Sequence, residues 1–308
     1  MNSQIFLSKI LLFGEYGILK NSKAISIPHN KYQGNLDFGD LTDNDVKKSN
    51  KSISEFLNFL KKSNQKNNFN IIQFEIDIKK GLFFKSSIPI GYGLGSSGAL
   101  VAAVYHKYFF NKIHISKDLS SDKLVKLKEI FSQIESYFHK KSSGIDPLNS
   151  YVGYPLFIES NDRINIIKLP GQSTESKRGL FIIDSGKPAK TGNLIKIFLD
   201  SFEDKSFSDH FNKKFILPTN YCIDSIIKSE FNLFSENFMD LSQFVIEKLN
   251  PMIPSGFNDI WRKGLETGSY YLKLCGSGGG GYLIGFSDNL DKAEKELIDY
   301  KFQEIIKF

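Results

Sequence analysis

Cysteine is almost missing from this chain of 308 residues, with only Cys222 and Cys275 present. Two such residues make neither a disulfide framework nor a cysteine-rich metal site. Both read as packed thiols suited to a reduced compartment, and a cytoplasmic location is expected. No apolar run approaches the roughly 18 residues of a membrane span, so no membrane partner is expected. The opening, MNSQIFLSKILLFGEY, meets Lys9 and Glu15 too early for a signal peptide and reads as a first strand. The five histidines (29, 106, 114, 139, 210) show no metal-ligand spacing and are assigned no role. Internal repeats are absent. The charge is nearly balanced, 40 Lys and Arg against 34 Asp and Glu for a net +6, and the lysines are scattered. Without a basic stripe interleaved with aromatics, nucleic acid is not expected as a partner, whereas a polyanionic small molecule suits the modest positive balance.

What the chain has in quantity is core material: 41% hydrophobic residues, 28 of them Phe. Its length exceeds what one core usually serves, so two domains are expected. The loop LPGQSTES (169–176) marks the changeover, giving domains of 1–175 and 176–308.

Between an extended segment (83–90) and an apolar, helix-like run (99–110) lies PIGYGLGSSGA, with four glycines and two serines. That order brings free backbone N–H groups and the positive end of a helix to one point, which suits phosphate. Glycine admits the close approach and makes positive φ cheap. Gly91, Gly93, Leu94, Gly95, Ser96, Ser97 and Gly98 are therefore the candidate phosphate cradle. The serines also read as caps for the following helix, and Ser97 beside a triphosphate could offer its hydroxyl to Mg²⁺.

Residues 8–16 and 24–28 read as strands, and the alternation in IIQFEIDIK (71–79) as a half-buried strand. Leu124, Leu127, Ile130, Phe131, Ile134 and Phe138 recur at spacings of three and four, predicting an amphipathic helix over 119–138. A polar turn, KKSSGID, and a second helical run follow. RGLFIIDSG (178–186) reads as a buried strand, then 192–203, 220–234 and 236–250 as helices. Strands at 270–276 and 281–287 flank a second glycine cluster, and a charged helix at 288–300 closes the chain.

Gly93-Leu-Gly95-Ser-Ser-Gly98 and Gly276-Ser-Gly278-Gly-Gly-Gly281 both match G-x-G-x-x-G. The Rossmann reading fails for lack of a second strand ending in an acidic residue about 20 positions on. A Walker loop and the protein-kinase HRD and DFG elements are absent.

Three segments in this order and spacing, KILLFGEYGIL (9–19), PIGYGLGSSGA (89–99) and KLCGSGGGGYLIGF (273–286), resemble the three motifs of the GHMP small-molecule kinases. Within that family the likeness is nearest to mevalonate kinases, whose motifs run K-x-I-L-F-G-E-H, G-x-G-L-G-S-S-A and K-L-T-G-A-G-G-G-G. The family's metal-ligating Glu and catalytic Asp lie eleven positions apart, the latter in S-G-[VI]-D. Glu135 and Asp146 have that spacing, and Ser143-Gly-Ile-Asp146 supplies the run.

The resemblance implies an α+β fold in two domains, the first like ribosomal S5 domain 2 and the second ferredoxin-like, with the site between them. It implies ATP and Mg²⁺ as cofactors, a small hydroxy acid such as mevalonate as acceptor, and a possible homodimer. Asp146 is implied as the base and Lys9 as its stabilising cation. Ser97 and Glu135 are implied as metal ligands, and Glu15, Tyr16, Thr191 and Gly278 as the substrate side. The plainer readings are an N-cap for Asp146, a surface position for Glu135, a solvated side chain for Lys9 and a glycine-tolerant hairpin for 276–281. Departures fall at Tyr16, where the family has His, at His139-KKSSGID in place of H-G-N-P-S-G-V-D, and at Ala189 in the Arg slot of P-R-x-T, where Lys187 or Lys190 would have to stand in. Other open readings are phosphomevalonate kinase, a kinase of another small alcohol, diphosphomevalonate decarboxylase and a non-catalytic binding protein of this fold.

Overall fold

The computed structural model describes residues 4–140, 142–170, 175–189 and 191–308, and side chains at 191–193 are outside the description. Two antiparallel sheets organise the chain. The first is built from β1 (Phe6–Phe13), β2 (Ala24–Phe38), β3 (Leu82–Ser86), β4 (Leu156–Ser160) and β5 (Arg163–Ile166), in the order β1-β2-β4-β5 with β3 also paired to β2. β2 serves three neighbours because it is 15 residues long: Ala24 to Ser26 pair with β4, and Gly34 to Phe38 with β3. The second sheet has the order β7 (Tyr271–Leu274), β8 (Tyr282–Ser287), β6 (Gly179–Asp184), β9 (Phe302–Lys307). Separate antiparallel sheets with their own helices make the protein α+β, as expected.

Helix α3 (Ser96–Tyr108) is the pivot of the first half. Every residue from Gly98 to Tyr105 is buried, so the helix is apolar on all sides. It packs on β1, β2, α4 (Ser121–His139) and α5 (Ile145–Val152). Helix α1 (Asn44–Lys62) precedes it, capped by the Asp43 side chain on the N–H groups of Asp45 and Val46. The sequence pattern did not suggest α1. It buries Ile53, Phe56, Leu57 and Leu60 at spacings of three and four.

Two expectations are overturned. Residues 71–79 form a helix, α2 (Ile71–Lys79), not a strand. The Asn70 side chain caps it, and the buried positions are Phe74 and Asp77, one helical step apart. Phe74 stacks on Tyr108 at 4.2 Å while Asp77 accepts the Tyr108 hydroxyl at 2.7 Å, and Ile72 and Ile76 are left exposed. Tertiary contacts on one helical face thus override an alternating pattern. The second correction is at the C-terminus, where α11 (Leu290–Glu296) is short and β9 closes the chain along β6.

Of the remaining helices, α6 (Thr191–Ser201), α8 (Leu217–Lys228) and α9 (Phe231–Lys248) fall where helical patterning was read, with the α8–α9 break at Ser229, whereas α7 (Lys205–Phe211) lies where none was read. A π-helical turn (212–216) joins α7 to α8, and α10 (Asn258–Thr267) lies ahead of β7. Much of the phenylalanine is spent here: Phe198, Phe202 and Phe211 sit 5.0–5.2 Å apart, centroid to centroid. Phe13 of β1 reaches across to Phe234 and Phe238 of α9. Among the described residues no helix is long and apolar enough to cross a membrane.

His29 on β2 is buried, its Nε2 has no partner, and its ring meets the edge of Tyr32. Burial, with the nearby Lys31 charge, pulls it down to about 4. The unfolded chain therefore binds a proton below about pH 6.5 that the folded one refuses until near pH 4, and stability is lost as pH falls through that window. Urea unfolding at pH 7 and pH 4.5 should show a loss larger by about 2 kcal/mol for the wild type than for His29→Gln. Equal losses would show that His29 does not contribute.

Candidate active site

β3 leads into the loop 87–95, and Gly91, Gly93 and Gly95 all have φ between +72° and +81°, in the left-handed region. Gly95 is the N-cap of α3 and no side chain caps that end. The serines at 96 and 97 thus open the helix without capping it through their hydroxyls. The first-turn N–H groups and the positive end of a helix buried from Gly98 to Tyr105 stand where the loop ends, an arrangement suited to phosphate. Three neighbours hold the loop: the Lys9 N–H donates to Leu94 O at 3.0 Å, the Ala189 N–H donates to Gly91 O at 2.7 Å, and Gly93 lies against the Cys275 carbonyl.

Lys9 is not solvated. Its side chain is 5% exposed, and its ammonium lies 2.9 Å from Asp146 Oδ1. Burial works to lower its pKa, but the charge and hydrogen bond of Asp146 win and leave it above the ordinary value. Asp146 is not the N-cap of α5. That position belongs to Gly144, and Asp146 stands two residues on, in the first turn, where the helix dipole favours a carboxylate. A Cβ on Gly144 would sit 2.1 Å from the Lys128 carbonyl, so the turn before Asp146 presses directly on α4. Gly98 stands where the resembling motif has Ala. A Cβ there would lie 2.7 Å from Pro147 N, and its absence lets α3 close on the start of α5.

Glu135 of α4 is buried, not on the surface. Its Oε1 accepts from Ser97 Oγ at 3.1 Å and its Oε2 accepts from Ser142 Oγ. Burial and the negative charge of Asp146 push it up to about 7, while the two serine hydrogen bonds and Lys9 act in the opposite sense. Ser97 Oγ also lies 3.0 Å from Nε2 of His139, one helical turn beyond Glu135. Lys9, Ser97, His139 and Asp146 open on a cleft of about 800 Å³, and Glu135 lies behind Ser97, outside the lining. The loop 89–97, Lys9, His139 and Asp146 line it, together with Cys275 and Ser277, and the first turns of α1 with Phe84 and Ile88 complete it. Burial pushes the Cys275 thiol up to about 11 despite Lys9 nearby.

Glu15, Tyr16 and Gly278 lie outside the residues that line the cleft. Glu15 forms a fully buried ion pair with Lys273 of β7, each side chain 3% exposed or less. Burial still holds its pKa above the ordinary range. The Tyr16 hydroxyl donates to the Ser277 carbonyl at 2.6 Å and its ring leans on Phe198. A Cβ on Gly278 would meet the Met252 carbonyl at 2.3 Å. These three hold the glycine cluster of the β7–β8 hairpin from behind. That segment is both a hairpin and a packing surface, since Gly280 lies against Pro188 and Gly281 against the Tyr92 backbone. Ala189, in the Arg slot, lines the cleft. The Thr191 side chain and Lys190 lie outside the described residues.

The sequence reading missed His139, Ser142, Lys273 and the lining role of Cys275. The signal for His139 was its i, i+4 relation to Glu135 on one helix face. Ser142 occupies the Pro slot of the resembling turn, and Lys140, at φ 57°, the Gly slot.

A glycine-rich loop leading into a largely buried helix, with a Lys–Asp pair and a buried Ser–Glu pair at its mouth, is an arrangement suited to phosphate within an α+β protein. Residues 52–154 match the family described as GHMP kinases N terminal domain. Among solved structures, the L. major mevalonate kinase in complex with R-mevalonate is similar at 14% identity and TM-score 0.63, over 99% of this chain and 95% of that one. The Methanococcus jannaschii mevalonate kinase is similar at 22% and 0.59, over 100% and 99%. The Streptococcus pneumoniae phosphomevalonate kinase in complex with phosphomevalonate and AMPPNP is similar at 13% and 0.60, over 99% and 100%. No curated protein sequence matches the chain. Residues 52–154 thus resemble a GHMP kinase N-terminal domain, and the whole chain has the fold of these kinases.

Replacing Gly98 with the Ala of the related motif should force α3 and α5 apart. We expect Gly98→Ala to lower stability by about 1–3 kcal/mol in urea unfolding. An unchanged midpoint would mean that the two helices yield freely.

Proposed function

We propose that the protein is an ATP-dependent kinase that transfers the γ-phosphoryl group to the hydroxyl of mevalonate, in the supply of isoprenoid precursors. The observation that carries the reading is the Lys9–Asp146 pair, 2.9 Å apart at the mouth of the phosphate loop, with Asp146 35% exposed toward the cleft. Loop 91–98 would hold the β- and γ-phosphates through backbone N–H groups. Asp146 would accept the proton of the acceptor hydroxyl as its oxygen bonds to the γ-phosphorus. The bond from that phosphorus to the bridging oxygen breaks, and ADP leaves with the electron pair. Lys9 would offset the charge of Asp146 and of the transferring group.

The donor set fits Mg²⁺. Among the described residues no three His, Cys, Asp or Glu side chains converge as a protein-only metal cage. One carboxylate and one hydroxyl, Glu135 and Ser97, suit a hard cation that takes most of its other ligands from phosphate and water. When bound, such a cation supplies charge neutralisation at the β- and γ-phosphate oxygens. The buried Glu135, with two serine donors and directly behind the cleft-lining Ser97, is the group that would hold it.

Phosphomevalonate is the second acceptor to test, since a solved protein of this fold was captured with it. Burial of Glu15 and engagement of the Tyr16 hydroxyl leave acceptor recognition to the cleft-facing groups around Asp146 and Ala189. We also place the domain boundary between residues 175 and 176, between β5 and β6.

Coupled ADP release with ATP and Mg²⁺ tests the reading against mevalonate, 5-phosphomevalonate, galactose and homoserine. Mevalonate-dependent turnover is expected, with kcat lowered by about 10²–10⁴ in Asp146→Asn. Turnover with 5-phosphomevalonate alone would move the acceptor one step along and retain the mechanism. Activity undiminished in Asp146→Asn would remove Asp146 as the base.

A further inference from the structure

We propose that His139 is a positioning residue for the metal-binding hydroxyl of Ser97. It accepts the Ser97 proton when a divalent cation is bound, which turns the serine lone pairs toward the ion. The proposal rests on the kinase reading of the same site.

A serine hydroxyl carries one proton and two lone pairs. Ser97 Oγ has two partners within hydrogen-bond distance, Glu135 Oε1 at 3.1 Å and His139 Nε2 at 3.0 Å. With no cation present, the Ser97 proton goes to the Glu135 carboxylate, which leaves the imidazole to meet a lone pair of the hydroxyl with Nε2 protonated in that arrangement. A cation held by both Glu135 and Ser97 reverses the geometry. The carboxylate is then spent on the ion, and a hydroxyl proton directed toward the ion is repelled. The other acceptor within reach is Nε2 of His139, with its ring proton on Nδ1.

Position supports the assignment. Glu135 and His139 stand four residues apart on α4, so their side chains emerge from one face, a turn apart. Glu135 is buried beneath Ser97, and His139 lines the open cleft beside it. Glu135 Oε2 is already occupied by Ser142 Oγ. The carboxylate therefore has one oxygen toward Ser97, and among the described residues the imidazole is the other group hydrogen-bonded to that hydroxyl.

The test measures binding of Mn²⁺ in the ternary complex with ADP, by water-proton relaxation enhancement, so that no turnover is needed. His139→Phe keeps a ring but removes both nitrogens, and His139→Gln keeps an acceptor at the Nε2 position. We expect His139→Phe to weaken Mn²⁺ in the ternary complex by about 10- to 100-fold. His139→Gln should stay within about threefold of the wild type, since an acceptor remains. In a Ser97→Ala background, His139→Phe should add no further loss, because the hydroxyl it orients is gone. Wild-type affinity in His139→Phe, or an equal loss with Ser97 absent, would overturn the proposal and leave the kinase reading standing. A wild type that forms no ternary complex at all would overturn both.

Discussion

A lysine ammonium buried inside the first sheet, 2.9 Å from the carboxylate of Asp146, is the interaction to which the site is fitted. Removing a lone ammonium from water costs several kcal/mol, so Lys9 is tolerable there only beside a partner of opposite charge. Its partner comes from a different layer, the first turn of α5. The two layers must therefore be held at fixed distance. The backbone of Lys9 is tied to the phosphate loop through Leu94, and α5 is seated against α3 where Gly98 leaves no side chain between them. The same contacts that locate the pair locate the loop, so the charge pair and the phosphate cradle are set by one packing arrangement.

A second buried pair repeats the principle at the seam of the two sheets. Glu15, just after β1, meets Lys273 of β7, and the Lys273 ammonium also lies 5.3 Å from the Phe13 ring. Neither member lines the cleft, yet both are hidden from water. Such a pair is weak evidence for stability, because its Coulomb energy is largely consumed by desolvation. What it does is tie the end of β1 in the first sheet to β7 in the second. The glycine cluster that follows β7 then meets Pro188 and the Tyr92 backbone at van der Waals distance. Loop, hairpin and the 187–189 segment thereby share a single setting.

Part of the candidate site was legible from residue order: the glycine spacing follows from the backbone needs of a phosphate cradle, and the Glu135–Asp146 interval was read by likeness of motif. The strand containing Lys9, the helix containing Glu135 and the turn before Asp146 were read at nearly their observed places. What failed was governed by contacts distant in sequence. The alternation in 71–79 is real, but Tyr108, some thirty residues on, draws Phe74 and Asp77 to one face and makes a helix. The closing strand was unreadable because its partner is β6, and no local pattern announces a pairing across about 120 residues. Glu15 and Tyr16 were assigned to the substrate side by likeness of motif. Their partners, Lys273 and Ser277, come from the far end of the chain.

The turn that carries Asp146 shows how the departures from the related motif offset one another. Lys140 has a positive φ of 57° with ψ −49° in the slot where the motif has Gly, a sparsely populated conformation that costs about 1–3 kcal/mol for a residue with a Cβ. Two positions on, Ser142 replaces a proline. A proline there could give nothing to Glu135, whereas the serine hydroxyl donates to its Oε2 and also receives the Gly144 N–H at 3.0 Å. Such a hydrogen bond contributes about 1–3 kcal/mol, of the same order as the strain at Lys140. The serine also supports the one carboxylate in the site whose burial pushes it up to about 7. Proline stiffens such a turn by restricting the unfolded chain, while serine stiffens it by bonding across the turn in the folded one. Both routes deliver Asp146 to Lys9, and the serine route adds a direct hold on Glu135.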